Sequence, residues 1–120
     1  FLMLYSGAIT KEQASTLVQQ LRQKTEWSPF YGIATTPTTS KWYLPKNYWR
    51  GPVWVNMNWL IIKGMQNYGY YEDAQVLKKQ TLELITQSGV CAEYYSAIDG
   101  EPAGSNQFSW TAALAIDMLH

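Results

Sequence analysis

Nine carboxylates in 120 residues are few enough to be sorted one at a time, by asking which are already explained by a solvated helix face or a turn. Glu12, Glu72 and Asp73 fall in first helical turns, where a negative charge meets the positive end of the helix dipole. Glu83 lies on a polar helix face, Glu26 in a mixed polar segment, and Asp117 is the one acid on an otherwise apolar last helix. Asp99-Gly100 and Glu101-Pro102 have the composition of turns, with Asp99 suited to bonding the backbone that follows it. Glu93 differs, because Ala92-Glu93-Tyr94-Tyr95 embeds it among rings. A carboxylate so placed either accepts a tyrosine hydroxyl as a structural bond or works as a general base.

The second chemically loaded stretch is Tyr48-Trp49-Arg50-Gly51-Pro52-Val53-Trp54. Aromatic faces stack on the apolar C–H faces of a sugar, and Arg50 offers a rigid fork of donors. Pro52 suits the first turn of a helix, where no N–H is needed. One isolated Trp would be read as core filling; a mixed aromatic and cationic cluster at a loop-to-helix junction points to a ligand. Six Trp, nine Tyr and three Phe exceed what a small core needs, and polar-edged rings suit sites that are apolar at one end and wet at the other.

Helices must position these groups. Thr10 and Gln13 form a capping-box pattern, and Ala14, Leu17, Val18 and Leu21 then recur at helical spacing, which predicts a helix over residues 11–23 with one buried stripe. Residues 24–51 hold no period. Pro29, Pro37 and Pro45 and the Thr-rich run 35–40 make this a long irregular loop, ordered by its many aromatic anchors. Residues 52–68 read as a helix apolar around nearly its whole circumference, hence buried, and its Asn56 and Asn58 must each find a structural partner or a ligand. A one-stripe helix over 72–88 follows, with Gly89 just past its end, and a last helix begins near Ser109. One-stripe, all-round and one-stripe helices in succession predict two concentric layers, so the fold class is all-α.

Equal numbers of acidic and basic residues leave no electrostatic footprint for nucleic acid or an anionic membrane surface. Cys91 is the single cysteine and His120 the single histidine, the last residue, so no disulfide, no Cys-based metal site and no Cys–His nucleophile is expected. No run of about 18 apolar residues occurs. One cysteine and no secretory signal fit a soluble, cytoplasmic protein.

Residues 48–61, then Glu93-Tyr94-Tyr95, then Gly100-Glu101-Pro102-Ala103-Gly104 and Phe108-Ser109-Trp110-Thr111-Ala112-Ala113, resemble in order, spacing and chemistry the C-terminal part of the glycoside hydrolase family 63 catalytic domain and its relatives, which include processing α-glucosidases, mannosylglycerate hydrolases and, more distantly, trehalases. The likeness runs from about Tyr31 to the end, with residues 1–24 agreeing more loosely. It implies part of an (α/α)6 barrel, incomplete over residues 1–120, with 52–68 an inner and 72–88 an outer helix. It further implies inverting hydrolysis of an α-glucoside or α-mannoside in which Glu93 is the general base; no cofactor is expected, and no residue is assigned to a metal. Tyr48, Trp49, Arg50, Gly51 and Trp54 would border the sugar subsite, and Phe108 and Trp110 stand across it or pack in the core.

Inversion needs a second, protonated carboxyl on the leaving oxygen. The family's acid lies upstream of the matching residues, and none of the acids here sits in a comparable motif. The expectation is therefore a fragment, inactive alone, whose barrel is completed by the same gene product or a second chain. Ala34 to Ser40 also departs from the more acidic, serine-containing segment of relatives. A carbohydrate-binding helical module without hydrolysis, and a structural helical protein whose aromatics only pack, are the competing readings.

Overall fold

The computed structural model describes residues 1–23 and 26–120; Lys24 and Thr25, the start of the expected loop, lie outside the described residues. A short helix, α1 (Met3–Ser6), opens the chain and has no counterpart in the sequence reading, since four residues are too few for a period. Helix α2 (Lys11–Arg22) starts as its sequence predicts: the Gln13 amide donates to Thr10 Oγ1 at 3.2 Å, and the Thr10 amide donates to Gln13 Oε1 at 2.9 Å. Helices α3 (Val55–Asn67), α4 (Tyr71–Ser88) and α5 (Ser109–Leu119) follow. Between α4 and α5 the two-residue strands β1 (Tyr94–Tyr95) and β2 (Pro102–Ala103) pair antiparallel, a small exception to the all-α class.

Helix α3 begins three residues later than its apolar pattern predicts. Trp54 is its extended N-terminal flank, and Val53 exchanges both backbone hydrogen bonds with Tyr95, at 2.7 and 2.9 Å. These ladder bonds satisfy the Val53 backbone outside a helix, so Pro52 is a buried residue of an extended segment and not a first-turn proline. Burial all round is also only partly realised. Ile61, Ile62 and Met65 are buried, whereas Trp59 and Leu60 line an open groove against Trp110 and Leu114 of α5.

Helix α3 packs against α1, α4 and α5. The approach of α1 depends on Gly64, where a Cβ would lie 2.5 Å from the Tyr5 nitrogen. Of the stripe expected on helix α4, Ala74, Leu77, Thr81 and Leu84 are buried and Ile85 is half-buried, and α2 is tied to α4 by a bidentate pair, Arg22 Nε and Nη2 to the two Asp73 oxygens at 2.7 and 2.8 Å. The envelope measures 38 × 38 × 20 Å, and a thickness of 20 Å is two helices of about 10 Å each. This slab is a segment of a helical toroid, in which α3 packs against α1, α4 and α5 and α2 is tied to α4. Trp110, Ile116 and Leu119 of α5 and Met3 of α1 are exposed on it.

Of the two open amides, Asn58 is structural. It is fully buried, its Oδ1 accepts from the Ile33 amide at 3.1 Å, and its Nδ2 donates to Thr81 Oγ1 at 3.0 Å, which locks the long loop to α3 and α4. Asn58→Leu strands a buried N–H and is expected to cost about 1–3 kcal/mol in urea unfolding of the intact protein. A midpoint equal to wild type at unchanged m-value contradicts this.

The Arg22 hydrogen bond holds the Asp73 carboxyl below its ordinary value of 3.8. A lowered folded-state value contributes stability that is present above the unfolded value and lost as pH falls through the folded one. Asp73→Asn is therefore expected to be less stable than wild type at neutral pH, with the gap closing as pH drops below about 3.9. Unfolding midpoints at pH 7 and pH 3 check this, and a gap of the same size at both pH values contradicts it.

Candidate active site

A short ladder brings the two loaded stretches together. Ala34 bridges Val53, Val53 bridges Tyr95, and Tyr95 pairs with Pro102, so residues 51–54 lie between the long loop and the hairpin. Helix α5 clamps the approach to Glu93: Thr111 Oγ1 donates to the Ala92 carbonyl at 2.7 Å, and the Phe108 amide donates to the Cys91 carbonyl at 2.8 Å. Tyr95 is fully buried, its hydroxyl donating to the Val90 carbonyl at 2.8 Å and accepting from the Ala92 amide at 2.9 Å; burial pushes this phenol above its ordinary range.

The rings form one connected cluster. Trp49 stacks on Trp54 with centroids 3.8 Å apart and planes 7° from parallel. Tyr48 meets Trp49, Trp54 and Tyr94 edge-on at 5.6, 5.2 and 6.2 Å, Tyr94 tilts against Trp54 at 5.1 Å, and Phe108 joins Trp54 at 6.3 Å and Trp110 at 5.4 Å. Trp54 is only 2% exposed, so it is the buried support of the cluster and does not itself form its outer face. Trp49, Tyr48 and Trp110 are 40, 52 and 54% exposed and do form that face. Grooves of about 290 Å³ at Trp49 and about 350 Å³ at Trp110 flank it.

Tyr48 adopts φ 44°, the left-handed region, which a bulky side chain occupies at a cost of about 1–3 kcal/mol. Its carbonyl is held by Trp54 Nε1 at 2.9 Å. Strain of this kind is kept where surrounding contacts over-determine a conformation, as they do here.

Arg50 and Gly51 take other positions than the outer face. The exposed Arg50 guanidinium lies 5.8 Å from the Trp42 ring centroid, a ring that also carries Lys41 Nζ at 5.0 Å. Gly51 is buried, and a Cβ there would lie 2.6 Å from the Leu44 carbonyl oxygen and 2.8 Å from the Tyr43 ring, so glycine is what lets the loop close. The Tyr43 hydroxyl is buried there without a partner among the described residues, and burial raises its pKa, with Asp99 adding to the effect.

Four other acids have partners of their own. Asp117 accepts from Trp59 Nε1 at 2.7 Å and lies 3.5 Å from Lys63, Glu26 accepts from Thr39 at 2.6 Å, and Glu101 pairs with Lys46. Asp99 Oδ1 accepts from the Glu101 amide at 3.1 Å, the turn bond its sequence implies. Glu93 is half-buried beside Tyr94, and no tyrosine hydroxyl donates to it among the described residues. The Ser105 amide donates to its Oε2 at 3.2 Å, while Oε1 accepts no bond among those residues. Tyr94, Gly104 and Ser105 thus belong to the site although sequence reasoning gave them no role there; Tyr94 carried a signal in its adjacency to Glu93, whereas Ser105 acts through its backbone and carried none. Among the described residues no group of three His, Cys, Asp or Glu side chains could hold a metal ion, and no helix is long and apolar enough to cross a membrane.

The chain as a whole is similar to known proteins in sequence and fold. The family model of the mannosylglycerate hydrolase MGH1-like glycoside hydrolase domain matches residues 1–111. Mannosylglycerate hydrolase MGH2 of Selaginella moellendorffii is 37% identical over 119 residues, which are 99% of this chain and 24% of that protein. Mannosylglycerate hydrolase of Thermus thermophilus is 38% identical over 116 residues, 97% of this chain and 28% of that protein. The crystal structure of the family 63 mannosylglycerate hydrolase from another strain of Thermus thermophilus, in complex with glucose, superposes with a TM-score of 0.88 at 35% identity, covering 98% of this chain and 29% of that one. The chain therefore spans about a quarter of the length of these relatives, and it belongs to the MGH1-like glycoside hydrolase family.

Proposed function

We propose that the protein carrying this chain hydrolyses an α-mannoside or α-glucoside with inversion, with Glu93 as the general base. The observation that carries this reading is the Glu93 carboxylate itself: one oxygen is fixed by a backbone N–H, the other is open, and the group borders a six-ring aromatic cluster. An open carboxylate oxygen can take a proton from water as that water attacks the anomeric carbon, while the rings cover the apolar faces of the sugar.

Tyr48, Trp49, Phe108 and Trp110 are assigned to the sugar-facing wall, Trp54 and Gly51 to its support, and Arg50 to its polar rim. The general acid, and the opposite wall, come from the rest of the barrel, supplied by the same gene product or by a second chain. The names of the relatives make a glycerate glycoside the first substrate to try. The test incubates the intact protein with α-mannosylglycerate, α-glucosylglycerate and simple α-glucosides and measures released sugar. Release from at least one supports the reading. No release from any, together with a tryptophan fluorescence change on adding glucose or mannose, replaces it with a non-catalytic sugar-binding module.

A further inference from the structure

In the hairpin register Tyr94 faces Ala103 and Tyr95 faces Pro102, so the next pair outward is Glu93 and Gly104. The Glu93 amide donates to the Ser105 carbonyl at 2.7 Å, and the Ser105 amide donates back to Glu93 Oε2 at 3.2 Å. To reach that N–H the carboxylate folds over Gly104. A Cβ at Gly104 would lie 2.6 Å from Oε2, 2.8 Å from Glu93 Cβ and 2.9 Å from Tyr94 Cε1.

Gly104 also has φ +72°, which by itself would explain a glycine. Comparison within the chain separates the two reasons. Gly7, Gly69 and Gly89 have similar positive φ but nothing within 4 Å of a built Cβ, so they serve the turn alone. Gly104 combines the turn with a space already filled by the carboxylate.

We infer that Gly104 and the Ser105 amide are the positioning device of Glu93: the missing Cβ admits Oε2, the N–H fixes it, and Oε1 is thereby left aimed at water. This deepens the proposed function and rests on Glu93 being the base. The device acts only through the carboxylate, so neither Gly104 nor Ser105 is a catalytic residue.

The test uses two variants of the intact protein. Gly104→Ala adds both the obstructing Cβ and backbone strain, whereas Gly104→Asn adds the same Cβ on a residue that tolerates positive φ. Displacing a reacting group by about 1 Å costs on the order of 10²-fold, so both variants are expected to lose about that much kcat with KM within a few-fold of wild type. Gly104→Asn is expected to recover part of the melting temperature that Gly104→Ala loses, since it relieves the backbone strain but keeps the Cβ contacts, and to recover none of the kcat; it carries the test by itself where Gly104→Ala does not fold. In a Glu93→Gln background, Gly104→Asn is expected to lower kcat no further. Wild-type kcat in Gly104→Asn, or an equal loss in both backgrounds, overturns the inference. The failures are distinguishable: wild-type turnover in Glu93→Gln removes the base assignment, while an inactive Glu93→Gln beside a fully active Gly104→Asn removes the positioning device alone.

Discussion

Glu93→Gln in the intact protein is expected to lower kcat by about 10²–10⁴-fold, the range that a general base contributes, with sugar affinity within a few-fold of wild type. Glutamine has nearly the same shape, and its carbonyl oxygen can still accept from the Ser105 amide, so the hairpin and the aromatic cluster keep their contacts. What it cannot do is take a proton from water. The loss therefore falls on the transition state and not on binding, which separates it from a mutation that merely loosens the fold. Turnover near wild type would falsify the assignment, because the other acids in this part of the chain already have partners: Glu101 is paired with Lys46, and Asp99 is committed to its turn.

Trp54→Ala is expected to be the most destabilising single change at the site, by about 3–5 kcal/mol in urea unfolding. Trp54 is 2% exposed, stacked by Trp49, met edge-on by Tyr48 and Phe108, and bonded through Nε1 to the carbonyl of the strained Tyr48. Its removal leaves a cavity and frees the only bond that secures that carbonyl among the described residues. Trp49→Ala makes the contrast. Its ring is 40% exposed, so its loss is expected to weaken sugar affinity more than stability. Parallel denaturation and fluorescence titration of the two variants check the division of labour, and the reverse ordering contradicts it.

Much of this arrangement was legible in residue order. Thr10 and Gln13 announced α2, Gly89 the end of α4, and the apolar spacing of Ala74, Leu77, Thr81 and Leu84 its buried stripe, because each is a local pattern whose consequence is local. The start of α3 was not legible, since Pro52 and Val53 are helix-compatible and only pairing with distant segments, Ala34 and Thr35 on one side and Tyr95 on the other, makes them extended. Non-local hydrogen bonds also decided Asn58, whose partners Ile33 and Thr81 lie on other elements. At the site, the ring-rich segments and Glu93 stood out by composition, but composition gave Trp54 the same role as Trp49 where burial gives them different ones. Gly104 and Ser105 were hidden because one acts by an absent side chain and the other by its backbone.

The stereochemistry of the released sugar tests the central claim most directly. Proton NMR recorded in the first minutes of hydrolysis of an α-glycoside by the intact protein should show the β anomer first, with the α anomer growing only by mutarotation, as water activated by Glu93 from the face opposite the leaving group requires. First appearance of the α anomer would mean a covalent glycosyl intermediate and two displacements, and Glu93 could not then be the base of a single inverting step.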